Sequence, residues 1–270
     1  MKLCMFRRSA GLPRPGRVEG DRVVELGADH LVAVLEAAGD VPEVGDAALA
    51  DVRLGAPVPE PPSVRDFFAF EQHVATTRGN RGGEVPAEWY EIPVFYFSNP
   101  AAIYGPDDEI PYPLATEELD YELEVAAVIG AGGRIAGFTV MNDWSSRDLQ
   151  RKEVRVGLGP AKGKDFATSL GPLLVTVDEF DGGEAEMVAR VNGEERSRGN
   201  LRDLYHGWDA ILERAALNTR LRPGDVLGSG TVGTGCILEA NDGRWLQVGD
   251  VVELEVEGIG VLRNTVAPPG

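Results

Sequence analysis

Cysteine and histidine are scarce in this chain. Among 270 residues there are two cysteines, Cys4 and Cys236, and three histidines, His30, His73 and His206. Two cysteines cannot build a disulfide scaffold, so the sequence points to a reducing compartment. With so few imidazoles, acid–base chemistry near neutral pH falls on very few candidates. Basic residues are also in deficit, 26 Lys and Arg against 44 Asp and Glu, for a formal charge of −18. That balance opposes binding to nucleic acid or to an anionic membrane. It also makes each local group of Arg or Lys informative, because an anionic substrate would need one. No apolar run is long enough to span a bilayer, and the opening MKLCMFRRSAG has no signal-peptide apolar core. The expectation is a cytoplasmic protein.

Glycine and proline are plentiful. With 34 Gly, 18 Pro and 43% hydrophobic residues, the composition describes a globular, turn-rich, mainly β chain of the α+β class. Its length suits one large domain, or a small one followed by a large one. Residues 1–60 read as a small N-terminal β unit and linker. Two short strands flank Gly20-Asp21, a short helix covers 31–38, and a stiff run from Leu54 to Ser63 carries Pro57, Pro59, Pro61 and Pro62. Residues 61–270 form the main domain. There is no internal repeat.

The stretch Leu119–Gln150 organises the rest. From Tyr121 to Ile129 the pattern is that of a strand, so Glu122 and Glu124 share a face while Leu123 and Val125 take the other. After a turn at Gly130, Gly132 and Gly133, a second strand from Ile135 to Met141 ends at Asn142-Asp143. Two strands so joined would lie side by side and bring Asp143 towards the glutamates. Three converging carboxylates need a cation between them, and all-oxygen ligands suit Mg²⁺, Ca²⁺ or Mn²⁺. An exposed acidic strand face would give the same Glu-x-Glu spacing.

Other stretches carry weaker signals. Val64–Val74 reads as a short amphipathic helix that buries Phe67 and Phe70. His73 in it is either structural or the leading candidate base. The Gly- and Arg-rich segment Thr76–Gly83 holds Arg78 and Arg81, as a lid or a surface loop. Glu88–Phe97 is aromatic-dense with strand character; most of its rings suit a core, while the Tyr96 hydroxyl could turn into a pocket. Gly159–Asp165 fails as a phosphate loop because Asp165 stands where Ser or Thr is needed. Gly228–Gly233 matches G-x-G-x-x-G, yet Thr234–Glu239 after it reads as a short strand and supplies no long helix. Trp208, Ile211, Leu212 and Ala215 mark one apolar helix face, ended by a turn at Arg222–Asp225. The tail, Val251–Val266, reads as a hairpin around Glu257-Gly258, and Cys236 as a small buried residue.

Several motifs in order carry a resemblance: Arg65-Asp66 with His73, Asp120-Tyr121-Glu122-Leu123-Glu124, Met141 to Gln150 (MNDWSSRDLQ), Gly163-Lys164-Asp165-Phe166 and Ser229-Gly230-Thr231. Together they resemble the fumarylacetoacetate hydrolase family from about residue 64 to the C-terminus. The resemblance implies a mixed β-roll catalytic domain, a homodimer, and a site for Mg²⁺ or Ca²⁺. By position it makes Asp66, Glu122, Glu124 and Asp143 metal ligands and His73 the catalytic base, oriented by Glu239. It also puts Lys164 beside the metal and the reacting oxygen, with Thr168 close by. Arg147, Gln150 and Thr231 would contact substrate, joined by Tyr96, Phe68 and, for a substrate carboxylate, Arg81 or Arg78. Phe68 and Val154 stand where the animal enzymes of the family have tyrosines. The implied activity is hydrolysis of a carbon–carbon bond in a β-diketone or acylpyruvate acid. Decarboxylation, isomerisation or hydration of a related oxo acid on the same fold is the alternative; a non-catalytic small-molecule or metal-binding protein is the alternative of another class.

Overall fold

A computed structural model describes residues 1–9 and 11–270. The N-terminal fifth builds β1 (Lys2–Arg7), β2 (Arg14–Glu19), β3 (Arg22–Leu26), α1 (Leu31–Glu36), β4 (Glu43–Ala48) and β5 (Arg53–Gly55). The turn foreseen at Gly20-Asp21 joins β2 to β3, with Gly20 at φ +60, a conformation that costs a glycine little. Next come β6 (Val64–Phe67), α2 (Glu71–Gly79), α3 (Ala87–Glu91), β7 (Phe95–Ser98), β8 (Ile103–Tyr104), β9 (Glu109–Pro111) and β10 (Leu119–Asp120). The centre of the chain supplies β11 (Leu123–Ile129), β12 (Ile135–Asp143), β13 (Ser145–Ser146), α4 (Arg147–Val154) and β14 (Thr168–Thr176). The remainder is β15 (Glu186–Val191), β16 (Glu194–Asn200), α5 (Trp208–Ala216), β17 (Val226–Gly228), α6 (Ile237–Ala240), β18 (Val251–Val256) and β19 (Gly260–Ala267).

A large mixed sheet runs β4-β3-β2-β1-β14-β12-β11-β17-β6-β7, with β5 and β8 attached at its side. A second sheet, β16-β15-β18-β19-β9, packs against it, and β10 pairs with β13. The N-terminal strands therefore share a sheet with the rest of the chain, through antiparallel pairing of β1 with β14.

β11 is the hub. Every one of its residues is buried, which explains its near-continuous apolar sequence. Leu123, Val125, Ala127 and Ile129 face a core shared with β15, β18 and β19. Ala126 and Val128 face another, filled by Leu3, Met5, Leu31, Val34 and Leu35 of the N-terminal segment. Each such buried Val, Leu, Ile or Met side chain contributes about 1.5–3 kcal/mol. The second face is the one that carries Glu124, so one strand face begins acidic and ends apolar. Among the described residues, no helix is long and apolar enough to cross a membrane.

Four local expectations need correction. Val64–Val74 is not one helix: Val64–Phe67 is a fully buried strand, between β17 and β7, and α2 starts only at Glu71. Long-range pairing on both edges outweighs local helix periodicity there. In Glu88–Phe97 a short helix precedes the strand, and of its aromatic residues only Trp89 is deeply buried; Phe97 is 63% exposed. Thr234–Glu239 is a turn followed by the helical turn α6, not a strand. Finally, α5 stops at Ala216, before Arg222–Asp225, where Asn218 takes φ +61. Its buried face holds Ile211 and Ala215, and the tail forms the expected β18–β19 hairpin.

Candidate active site

One strand, β6, and the β11–β12 hairpin assemble the carboxylates. Leu123 pairs with Asn142 across β11 and β12, so the next residues out, Glu122 and Asp143, end up opposite each other. Glu124 lies two residues on, on the same face. Asp66 arrives from β6, which joins the sheet through parallel pairing with β17, Asp66 opposite Gly228. That glycine is required, because a Cβ at 228 would stand 2.5 Å from Asp66 Oδ1. Asp66, Glu122, Glu124 and Asp143 are all buried and each offers an oxygen within 4.8 Å of the others.

Cations reach only one side of this cluster. Lys164 Nζ donates to Glu122 Oε2 at 2.5 Å and to Asp143 Oδ2. Arg147 donates through Nη2 to Glu122 Oε1 at 2.7 Å and through Nε to Asp120 Oδ2 at 2.8 Å. Burial pushes Glu122 up, but Lys164, Arg147 and His73 outweigh it and hold this carboxyl below the usual range. Burial and then neighbouring acids, Asp143 for one and Asp66 for the other, raise Asp66 and Glu124 well above it. Burial also raises Asp143, against the pull of Lys164.

Three buried oxygens of this set, Asp66 Oδ1, Glu124 Oε2 and Asp143 Oδ1, have no hydrogen-bond partner among the described residues. A buried carboxylate oxygen left unpaired is costly, and four carboxylates around so few cations carry excess negative charge. Both faults are repaired by one hard divalent ion, for which all-oxygen donors are the fitting set. The residues present therefore fit such an ion, with the orphaned oxygens as its natural ligands.

Beside the cluster lies a cavity of about 240 Å³. Asp66, Glu122 and Glu124 line it, with Phe68, His73, Arg81, Tyr96, Arg147, Gln150, Lys164 and Thr231. His73 sits in the first turn of α2, and its Nδ1 is 2.5 Å from Glu239 Oε1, both groups buried. That contact leaves Nε2 for the cavity, where the Phe68 ring meets the imidazole edge-on. The other Glu239 oxygen accepts the Thr234 N–H at 2.9 Å. Tyr96, paired with Asp66 across β6 and β7, donates its hydroxyl to Asp143 Oδ2. Thr231 Oγ1 donates to Glu124 Oε1 at 3.4 Å. Its neighbour Gly230 takes φ +79 and passes so close that a Cβ there would lie 2.4 Å from Phe67 O.

Sequence-proposed residues outside the cavity are few. Asp143 and Glu239 stand behind its wall, Arg78 and Val154 are exposed on their helices, and Thr168 lies within the sheet, 3.4 Å from Ser98 Oγ. Between the two candidate arginines the geometry selects Arg81 for the cavity mouth. Asp66 and His73 meet the site from a strand and a separate helix, not from two turns of one helix.

One residue the sequence reading passed over is Asp120. It is fully buried, pairs with Arg147, and accepts the backbone N–H groups of Ile237 and Leu238 at 2.8 and 3.0 Å. It thereby ties the carboxylate cluster, through Arg147, to the helical turn that carries Glu239. Its signal was present in the sequence: Asp120, Glu122 and Glu124 alternate along one run.

With this geometry established, comparison with known proteins is decisive. A family model described as fumarylacetoacetate (FAA) hydrolase C-terminal matches residues 63–267. The chain belongs to the fumarylacetoacetate hydrolase family. Oxaloacetate tautomerase YisK of Bacillus subtilis is 29% identical over 81% of this chain and 74% of its own. The crystal structure of 5-carboxymethyl-2-hydroxymuconate delta-isomerase from Mycobacterium smegmatis superposes with a TM-score of 0.79, at 31% identity, over 99% of this chain and 100% of that one. The fumarylacetoacetate hydrolase of Exiguobacterium antarcticum gives a TM-score of 0.80 at 28% identity, with coverage of 99% and 100%. Membership in the fumarylacetoacetate hydrolase family thus spans enzymes named for hydrolysis and for isomerisation. The matched residues run from β6 to β19, and the carboxylate cluster falls inside them.

Proposed function

We propose that this fumarylacetoacetate hydrolase family member is a divalent-metal-dependent enzyme of keto–enol chemistry. Its substrate would be a small 2-oxo acid with a second acidic or carbonyl group. The observation that supports this best is the buried His73–Glu239 pair opening onto the same cavity as a cation-deficient carboxylate cluster. When bound among Asp66, Glu122, Glu124 and Asp143, a divalent ion supplies Lewis-acid stabilisation of the negative charge that an enolate bears.

The chain's own groups account for the rest. His73 Nε2, free of protein partners among the described residues, accepts a proton from the carbon next to the carbonyl. Glu239 holds the ring through Nδ1 and stabilises the imidazolium that results. Returning that proton to oxygen, or to the other carbon of the enol system, completes a tautomerisation or isomerisation. Arg81 at the mouth meets the substrate carboxylate and offsets repulsion from a −18 protein. Gln150 and Thr231 offer an amide and a hydroxyl for orientation, and Phe68 shields the base from bulk water. Isomerisation comes first here because relatives named as tautomerase and delta-isomerase match 81% and 99% of the chain.

Hydrolysis of an acylpyruvate is the second reading, favoured by the same His73–Glu239 pair. Here His73 takes the proton from a water molecule, whose oxygen attacks the distal carbonyl carbon. The carbon–carbon bond then breaks, with its electron pair stored as the enolate until protonation. Proton NMR in D₂O, with Mg²⁺ and either oxaloacetate or an acylpyruvate, separates the two. Deuterium exchange with the carbon skeleton intact marks an isomerase, and two shorter acids mark a hydrolase. His73→Ala is expected to lower either rate by about 10²–10⁴-fold while Mg²⁺ binding persists. Undiminished exchange and cleavage in that variant would remove the base.

A further inference from the structure

The base pair has a third neighbour that the reaction does not use. Cys236, 2% exposed, caps α6 with its Sγ 3.9 Å from Glu239 Oε1. His73, Cys236 and Glu239 each place a donor atom within 4.8 Å of the others. These are nitrogen, sulfur and oxygen donors, whereas the neighbouring cluster offers oxygen alone. Hard ions such as Mg²⁺ have no preference for sulfur; Zn²⁺ and ions like it bind Cys, His and Glu together in tetrahedral sites.

We propose that His73, Cys236 and Glu239 form a second, inhibitory site for a borderline-soft divalent cation of the Zn²⁺ class, distinct from the all-oxygen site. Charge supports it: one dication with a thiolate, a carboxylate and a neutral imidazole sums to zero, which suits a buried position. Binding releases the thiol proton to solvent as the sulfur–metal bond forms, since a coordinating thiol is deprotonated. The short contact between His73 Nδ1 and Glu239 opens to admit the ion. With Nδ1 ligated, the remaining ring proton must sit on Nε2. The nitrogen facing the cavity then has no lone pair to accept a substrate proton. The inhibitory part of this proposal rests on His73 being the base; the metal site itself does not.

The test uses full-length protein first saturated with Mg²⁺, so that the carboxylate cluster is filled. Co²⁺ is then added and the near-ultraviolet thiolate-to-metal charge-transfer band recorded, alongside Zn²⁺ inhibition of Mg²⁺-supported turnover. The wild type is expected to show the band and to be inhibited. Cys236→Ser and Cys236→Ala are expected to keep Mg²⁺-supported turnover, lose the band and resist Zn²⁺. Cys4, buried with Phe6 and Val23, serves as an internal control for any remote thiol. No band in the wild type, or a band that survives in both variants, overturns the site. Equal inhibition of wild type and variants, relieved by excess Mg²⁺, overturns its inhibitory role and assigns Zn²⁺ to the carboxylates. A band lost in the variants from a protein with no turnover of any oxo acid supports the metal site and defeats the functional reading instead.

Discussion

The two halves of the carboxylate cluster are built on opposite principles. On one half, Glu122 is saturated: Lys164 and Arg147 both donate to it, and its carboxyl stays ionised at low pH. On the other half, Asp66 and Glu124 bury oxygens that none of the described residues satisfies, and their carboxyls are pushed up. Glu122 and Glu124 are two residues apart on one strand face, so backbone geometry does not separate them. What separates them is where the cations come from. Arg147 and Lys164 enter from the segment after β12 and reach only the outer end of the strand. Protein cations balance the first, satisfied half, and they leave the second, starved half with uncompensated carboxylates.

The largest expected effect comes from stripping the satisfied half. Lys164→Met leaves Glu122 and Asp143 without their ammonium, and removing one partner of a buried pair typically costs about 3–5 kcal/mol. Urea unfolding of the metal-free variant measures it; a loss no larger than a surface substitution causes would show that the two halves are alike. The starved half should respond in the opposite sense. Glu124→Gln is expected to leave metal-free stability equal or higher, because it removes a carboxylate that is costly to ionise. Mg²⁺ affinity should nevertheless fall by about tenfold or more, the range seen even when only a ligand's supporting partner is lost. Calorimetric titration decides it, and unchanged affinity would take Glu124 out of the ligand set.

A pH series sharpens the contrast further. Asp66, Glu124 and Asp143 hold protons more tightly folded than unfolded, so their contribution is full below the ordinary carboxyl range, about pH 4. It is lost as pH rises through the raised folded values. In the presence of chelator, melting temperature should therefore fall as pH rises above the ordinary carboxyl range on account of these groups. Saturating Mg²⁺ should remove that decline, because it binds the ionised form. A chelated protein that gains stability above that range, or one indifferent to Mg²⁺, would contradict the starved half. The smallest effect is expected at Asp120. Asp120→Asn keeps an acceptor oxygen, so the bonds to Arg147 and α6 are weakened and not lost, and the stability change should be smaller than for Lys164→Met. Because α6 carries Glu239, turnover should drop more than Mg²⁺ affinity, and equal loss of both would deny the link.

The legibility of these features in the sequence follows the distance over which each is decided. Period-two alternation placed Glu122 and Glu124 on one face, and a short Gly-rich turn placed Asp143 beside them, because hairpin contacts are local. Asp66 is brought in by parallel pairing of β6 with β17, from the far end of the chain, and the residues around it show only an apolar rhythm that also suits a helix. The family motifs supplied that ligand, as they did the pairing of His73 with Glu239. The N-terminal segment read correctly as strands, yet nothing in its own residues announced that β1 would extend the main sheet by pairing with β14. Asp120 continues the acidic alternation in the sequence, but nothing local shows that the chain breaks between β10 and β11 and sends it towards α6 instead of the cavity.

The most direct test of the metal assignment is an anomalous difference map from crystals of the protein grown with Mn²⁺. The expected result is one strong peak bounded by Asp66 Oδ1, Glu124 Oε2 and Asp143 Oδ1, with Glu122 adjacent and His73 across the cavity. A map with no peak among these oxygens at saturating Mn²⁺, or with the ion held by surface carboxylates alone, would contradict it.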